Sequence, residues 1–211
     1  MNQYLTIKEK VKSEIVIQKS KFICTLIPVE GEENERKAIA EKLIKEIKKE
    51  YFDAKHNCVA YRIIENEKIV EKFSDDGEPN GTAGMPMLNI LRGKKLVNVV
   101  CIVTRYFGGI LLGTGGLVRA YSEALENAIK NSELYEKKIK DVFGVELEYK
   151  ELEFFKYYCE KQDIDILKIK YLESISVKIA MDSIEKEKFI NNIKNKEITT
   201  KKVEFLYKKF L

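Results

Sequence analysis

The stretch TRYFGGILLGTGGLVRAY, residues 104–121, decides the fold of the first part of the chain. It follows the apolar run LVNVVCIV at 96–103, which is typical of a strand buried on both faces of a sheet. After the glycines, apolar residues recur at helical spacing from Leu117 to Ile129. The pattern predicts a buried strand, a glycine loop and an amphipathic helix in succession, with Thr114 as the helix cap.

The glycine loop and the arginines on either side of it form the strongest candidate for a binding site. Glycine lets a ligand approach the main chain, and the unpaired N–H groups at a helix start favour an anion. Arginine adds a permanent charge and a fork suited to phosphate or carboxylate. The glycines could instead form only a tight connection, and the segment matches neither the P-loop nor the dinucleotide-binding pattern. The predicted anion-binding residues are Arg105, Gly108, Gly109, Gly113, Gly115, Gly116 and Arg119.

A second segment, SDDGEPNGTAGMP at 74–86, holds three carboxylates within four residues. Such a cluster could bind Mg²⁺, or one carboxylate could act as a general base if it were buried. The alternative is a solvated turn that caps the following helix. Because neighbouring carboxylates repel each other, we expect at least one of Asp75 and Asp76 to lie in solvent or beside a cation. If the two segments converge, the residues lining the site are Asp75, Asp76, Glu78, Thr82 and His56.

His56 is the only histidine, and it lies two residues before Cys58. On a strand both side chains would face the same side, so a Cys-His nucleophilic pair is one interpretation. The other is an inert, buried thiol, which the apolar surroundings of Cys58 favour. With one histidine and no CxxC motif, we expect no Cys/His zinc site. We assign no metal-binding residue and no cofactor from the sequence, although Mg²⁺ at the acidic turn stays an alternative.

Composition and charge exclude several classes of protein. The chain has 211 residues, of which 45% are hydrophobic and 34% charged, and this balance is typical of a soluble globular protein rather than a disordered one. No apolar run approaches the ~18 residues that span a bilayer, and the amino terminus has no secretory pattern. We therefore expect a cytoplasmic protein without a membrane partner. The net charge of +4 permits a nucleic-acid partner without requiring one.

Glycine divides the chain into two parts. Nine of the 11 glycines lie between Gly77 and Gly116, and residues 145–211 contain none. We predict two domains, 1–138 with the glycine loop and 144–211, with the boundary near 140–144. The second part alternates as β-α-β-β-α-β, which is the ferredoxin-like order. Its open sheet face is expected to lack the aromatic platform of an RNA-recognition motif. The residues predicted on that face are Glu146, Glu148, Lys168, Lys170, Lys178 and Glu204.

Four blocks of the sequence carry a family resemblance. They are KFICTLIPV at 21–29, DAKHNCVAYRI at 53–63, FSDDGEPNGTAGMPML at 73–88 and VTRYFGGILLGTGGLVRAYSEAL at 103–125. In this order they resemble the IMPACT family, including its YigZ-type bacterial members. The resemblance implies an α+β protein of two domains. The first would be a two-layer α/β domain like the second domain of small-subunit ribosomal protein five. The second would be a ferredoxin-like domain similar to the last domain of elongation factor G.

The resemblance also implies a function. Eukaryotic relatives regulate translation by competing for a ribosome-associated activator of the starvation-responsive initiation-factor kinase. We therefore expect a non-enzymatic binding protein whose partner is RNA, the ribosome or a protein of the translation machinery. The alternative is a small phosphate-ligand or nucleotide-binding enzyme that uses the glycine loop, since sugar and mevalonate kinases share this broad fold. Leu111 departs from the family pattern, in which a lysine commonly stands, and this weakens an anion site that uses that lysine.

Overall fold

A computed structural model of the chain describes residues 3–66 and 68–210. They form two compact units, Tyr4–Glu136 and a second unit built from residue 137 onward together with Gln3. Each unit contains a β-sheet and helices, which confirms the predicted α+β class. Within the described ranges, no helix is long and apolar enough to cross a membrane.

The sheet of the first unit is antiparallel and has an almost fully buried strand at its centre. The first strand of the chain, β1 (Gln3–Ile7), belongs to the other sheet. The strands that follow are β2 (Val11–Ile17), β3 (Ser20–Pro28), β4 (His56–Glu65), β5 (Lys68–Ser74) and β6 (Val99–Tyr106). They pair in the order β2-β3-β6-β4-β5, so β6 is central, and seven of its eight residues are buried, as the apolar run predicts.

Helices cover both faces of this sheet. α1 (Arg36–Glu50) buries Ala40 and Ile44 against one face, while α2 (Gly84–Gly93) and α3 (Gly113–Lys130) cover the other. The expected two layers are therefore three. The physical reason is that the central strands are apolar on both faces, so each face needs a helix to exclude water.

The second unit has the predicted β-α-β-β-α-β order. The elements are β7 (Leu134–Leu147), α4 (Leu152–Lys161), β8 (Asp165–Tyr171), β9 (Ile175–Asp182), α5 (Lys186–Lys194) and β10 (Lys202–Phe210). The strands pair in the order β10-β7-β9-β8. Apolar residues of both helices pack on one face of the sheet, around Phe143, Phe155 and Phe189.

The boundary between the units lies inside a strand. β7 runs without a break from Leu134 to Leu147, whereas the first compact unit ends at Glu136. The expected boundary near 140–144 is thus strand, because Ile139, Val142 and Val145 continue the pairing with β9 or β10. The division into domains 1–138 and 144–211 stays a prediction.

A bulge in β10 moves one aromatic residue to the other face of the sheet. The register shifts between Phe205 and Tyr207. Phe205 contacts the core residue Phe143, with ring centroids 5.5 Å apart, whereas the Tyr207 ring lies 5.4 Å from Lys178 Nζ. Lys178 alternates with buried residues of β9 and so faces away from the helices. The expected aromatic-free face is wrong, because alternation without a bulge would keep Tyr207 beside Phe205.

Candidate functional site

A cavity of about 410 Å³ lies at the N-terminus of α3 in the first unit. No side chain caps this helix, because Leu112 occupies the cap position and Thr114 lies inside the first turn. The prediction of Thr114 as cap is wrong, and within the described part of the chain no side chain accepts a hydrogen bond at this helix start. The polar residues that line the cavity are Lys55, His56, Glu78, Arg105 and Thr114. Its apolar lining includes Phe107, Leu111, Leu112 and Leu117.

The two segments singled out by the sequence meet in an ion pair. Arg105 Nη1 donates to Glu78 Oε1 at 2.7 Å, and the two side chains are only 7% and 3% exposed. The Tyr121 hydroxyl donates to the same oxygen at 2.8 Å, and His56 Nε2 lies 3.9 Å from it. Glu78 is therefore a buried carboxylate held by two donors, as burial of a charge requires.

Arg105 joins several elements of the first unit. Its Nη2 donates to Ser20 Oγ at 3.4 Å, and its guanidinium lies 5.5 Å from the Phe22 ring and 5.6 Å from the Phe107 ring. Its Nε is buried and has no hydrogen-bond partner among the described residues. One N–H of a buried charged group is thus left without an acceptor, in a residue that lines the cavity.

Asp75 caps α2 from outside the helix. Its Oδ1 accepts hydrogen bonds from the N–H groups of Ala83 and Gly84 at 3.0 and 2.8 Å, and its Oδ2 accepts one from Gly81 N at 2.8 Å. A carboxylate at a helix N-terminus is favoured both by these bonds and by the helix dipole. The capping interpretation of the acidic turn therefore holds for Asp75, which does not line the cavity.

Asp76 and Thr82 also serve the turn itself. Asp76 pairs with Lys48 Nζ and accepts a hydrogen bond from Asn57 N at 2.7 Å. The expectation that Asp75 and Asp76 are not both buried without a partner is thus confirmed. Thr82 is buried and donates to the Pro79 carbonyl at 2.6 Å. Since each of the three carboxylates has different partners, the geometry gives no support to a shared Mg²⁺ site.

Of the glycines predicted to bind an anion, one lines the cavity, one contacts the β2–β3 turn and three lie outside the lining. Gly113 lines the cavity, with a left-handed φ of +67°. A Cβ on Gly108 would lie 2.0 Å from the Lys19 carbonyl carbon, so Gly108 is where the loop rests on the β2–β3 turn. The structure leaves the three others outside the lining: Gly109, Gly115 and Gly116.

Cys58 is an inert thiol. Burial raises the pKa of its thiol to about 12, and the group donates to the Asp75 carbonyl at 3.0 Å. Such a thiol is protonated at neutral pH and is a poor nucleophile. His56 Nδ1 is engaged 2.9 Å from the Asp76 carbonyl oxygen. The geometry favours the buried-thiol interpretation over a Cys-His nucleophilic pair.

Arg119 and Leu111 lie at the edges of the site. Arg119 is exposed on α3 and is not among the lining residues, since it lies two positions beyond the lining residue Leu117 and points to another side of the helix. Leu111 is 85% exposed at the cavity mouth. The structure thus brings Arg105 together with Glu78, His56 and Gly113, but not with Arg119.

Sequence reasoning missed three participants. Lys55 lines the cavity, Ser20 receives Arg105 Nη2, and Tyr121 donates to Glu78. Tyr121 fits the apolar stripe of the helix, so its position predicts a core residue rather than a hydrogen-bond donor. The sequence signal for its role is that a buried tyrosine O–H requires an acceptor.

The fold and the site define a class: a two-part α+β protein with an uncapped helix N-terminus facing a cavity that a buried ion pair lines. The family model of the Impact N-terminal domain matches residues 18–129, which include every lining residue of the cavity. The chain belongs to the IMPACT family.

Two relatives and one solved structure cover nearly the whole chain. The IMPACT family member YvyE of Bacillus subtilis is 38% identical over 189 residues, 90% of this chain and 84% of that protein. An IMPACT family member of Haemophilus influenzae is 38% identical over 197 residues, 93% of each chain. A crystal structure of a hypothetical protein matches with a TM-score of 0.63 and 29% identity, over 98% of this chain and 97% of the other.

Proposed function

We propose that the protein is a non-enzymatic, cytosolic binding protein linked to translation regulation, and that its cavity holds a phosphate of RNA or of the ribosome. Family membership supports the link with translation, because the eukaryotic relatives that the sequence resembles are translation regulators. The single observation that carries the anion site is Arg105. It is 6% exposed, and its Nε has no hydrogen-bond partner among the described residues.

Three sources of positive potential meet at the cavity. The first turn of α3 supplies N–H groups and the positive end of the helix dipole. Lys55, which is exposed, adds a mobile charge at the mouth, and Arg105 adds a fixed one inside. Glu78 offsets the charge of Arg105 but also holds its guanidinium in one orientation, which lowers the entropy cost of binding.

The experiment measures the affinity of the full chain for inorganic phosphate and for a fluorescent 12-nucleotide single-stranded RNA. Lys55→Gln should weaken both about tenfold, because a charge-assisted contact is worth roughly 1.5–3 kcal/mol. Lys130→Gln is the matched control, since Lys130 is exposed at the opposite end of α3. Equal affinities of wild type and Lys55→Gln for both probes would contradict the site.

The predicted role of Arg119 becomes a separate arm of this experiment. Because Arg119 lies outside the cavity lining, Arg119→Ala should leave the affinity for inorganic phosphate unchanged. It should weaken RNA binding if the RNA backbone continues along α3. A loss of phosphate affinity in Arg119→Ala would place the anion elsewhere on the helix.

The alternative of a phosphate-ligand enzyme predicts turnover. A cavity of about 410 Å³ is in the range of small-molecule sites. Release of phosphate from ATP or GTP by the wild type, lost in Lys55→Gln, would favour the enzyme. A steep fall of RNA affinity with rising salt and no phosphate release would favour the binding protein.

A further inference from the structure

The sheet face of the second unit opposite α4 and α5 carries a like-charged pair. Lys168 of β8 lies directly opposite Lys178 of β9, and Lys170 follows on the same face opposite Ser176. Like charges directly opposite each other destabilise a sheet. Within the described ranges, neither Lys168 nor Lys170 forms an ion pair, and both are exposed. An anionic partner would remove this repulsion.

The bulge in β10 places an aromatic ring beside Lys178, on the same face of the sheet as Lys168 and Lys170. Tyr207 is 42% exposed, and Lys178 Nζ lies 5.4 Å from its ring centroid and 3.5 Å from its hydroxyl. A phenol ring with an open side stacks on a nucleic-acid base, and neighbouring lysines contact the phosphates. The combination is the one that sequence-independent binders of single strands use.

Three of the acidic residues on the same face have partners. Glu204 of β10 pairs with Lys202 Nζ at 2.6 Å, Glu146 of β7 accepts a hydrogen bond from Ser174, and Asp165 of β8 pairs with Lys140 Nζ at 2.7 Å. These carboxylates therefore do not neutralise Lys168, Lys170 and Lys178. Gly144 leaves the middle of the face without a side chain, opposite both Glu204 and Lys178.

We propose that this face binds the backbone of single-stranded RNA, with Lys168, Lys170 and Lys178 on phosphates and Tyr207 stacked on a base. The proposal goes beyond the cavity function, because every residue in it belongs to the second unit. It specifies one occupant, since lysines alone would suit any anion, whereas the partly exposed ring beside Lys178 suits a base.

The test uses the full chain and the 12-nucleotide RNA between 50 and 200 mM salt. The Lys168→Gln/Lys178→Gln variant should bind about tenfold more weakly at 50 mM, and its plot of log affinity against log salt should be shallower by about 1.4. Tyr207→Leu should lose roughly tenfold with little change of slope, because stacking is not ionic. Lys188→Gln on α5 is the control and should bind like wild type.

Thermal unfolding separates this role from a structural one. Removal of the like-charged pair should keep or raise the melting temperature, so weaker RNA binding with an unchanged or higher Tm supports the proposal. Unchanged affinity in both sheet variants would overturn it. The proposal would also be overturned if the sheet variants lost affinity for poly-glutamate or for anionic vesicles as strongly as for RNA. That result would assign the face to an acidic protein or a lipid surface. Loss of inorganic phosphate binding in Lys55→Gln reports the cavity, and loss of RNA binding in the sheet variants reports this face, so failure of one proposal is distinguishable from failure of the other.

Discussion

The two units place their charges in opposite ways. In the first, Glu78 and Arg105 are buried and hold each other, whereas in the second, Lys168 and Lys170 are exposed and repel their neighbour Lys178. A buried charge must have a partner inside the fold, because desolvation is costly. An exposed like-charged pair costs the fold little and is available to an outside partner. A buried ion pair therefore fixes the geometry of its own surroundings, whereas an exposed like-charged pair leaves its charges accessible from outside.

Loss of the buried carboxylate should have the largest effect. Glu78→Gln leaves Arg105 buried without a counter-charge, and we expect the free energy of unfolding to fall by about 3–5 kcal/mol. Urea unfolding of the full chain measures it. Glu126→Gln, on the exposed side of α3, is the matched control and should change stability by less than about 0.5 kcal/mol. Recovery of part of the loss in Glu78→Gln/Arg105→Met would establish the pairing, and equal stability of Glu78→Gln and wild type would contradict it.

The loop glycines should respond unequally to the same added methyl group. Gly108→Ala places a Cβ 2.0 Å from the Lys19 carbonyl carbon, so we expect a loss of about 3 kcal/mol. A Cβ on Gly115 meets no atom within 4 Å, and Gly115→Ala should raise stability by up to about 1 kcal/mol through helix propensity. Thermal melting compares the two, and similar losses in both would contradict the assigned contact.

Removal of the Asp75 carboxylate, which caps α2, should destabilise the first unit by an intermediate amount. Asp75→Ala leaves the N–H groups of Gly81, Ala83 and Gly84 without their acceptor, at a cost of about 2 kcal/mol. Asp75→Asn retains one acceptor oxygen and should lose less. Hydrogen exchange at the start of α2 checks the location of the effect, since faster exchange there is expected only if Asp75 is the cap.

Tyr121→Phe should cost about 1 kcal/mol, because it removes the hydroxyl that donates to Glu78. The counterpart in the second unit is Tyr158→Phe, whose hydroxyl accepts from Asn192 Nδ2 in a partly exposed position. Its loss should be smaller, since water can replace the tyrosine oxygen. A larger loss at Tyr158 than at Tyr121 would reverse the contrast between the units.

Removal of the second unit should change the stability of the first unit less than any of these substitutions. All buried residues of its two apolar clusters lie between Ile7 and Ile129, so a fragment of residues 1–138 should retain a cooperative thermal transition. Calorimetry of the fragment beside the full chain checks this. A molten fragment would show that the first unit needs the remainder of β7.

Local periodicity accounts for what the sequence predicted correctly. The apolar run before the glycine loop and the alternation after residue 144 report which faces are buried, so β6, α3 and the ferredoxin-like order follow from them. Periodicity does not show which element a buried face packs against. The apolar stripe of α1 therefore predicts that this helix is buried on one side, but not that it forms a third layer on the sheet. The pairing of Glu78 with Arg105, 27 residues apart, and the bulge at Tyr207 depend on tertiary contacts that no local pattern contains.

The close contact of Gly108 with the β2–β3 turn has a consequence for the order of folding. Gly108 N donates to Ser20 Oγ across 88 residues of chain, so the glycine loop can take its final shape only after β3 has paired with β6. Closing a contact of that sequence separation is slow compared with forming a hairpin or a helix. We therefore expect the cavity to be among the last parts of the first unit to form, and stopped-flow refolding should recover phosphate binding later than helical circular dichroism.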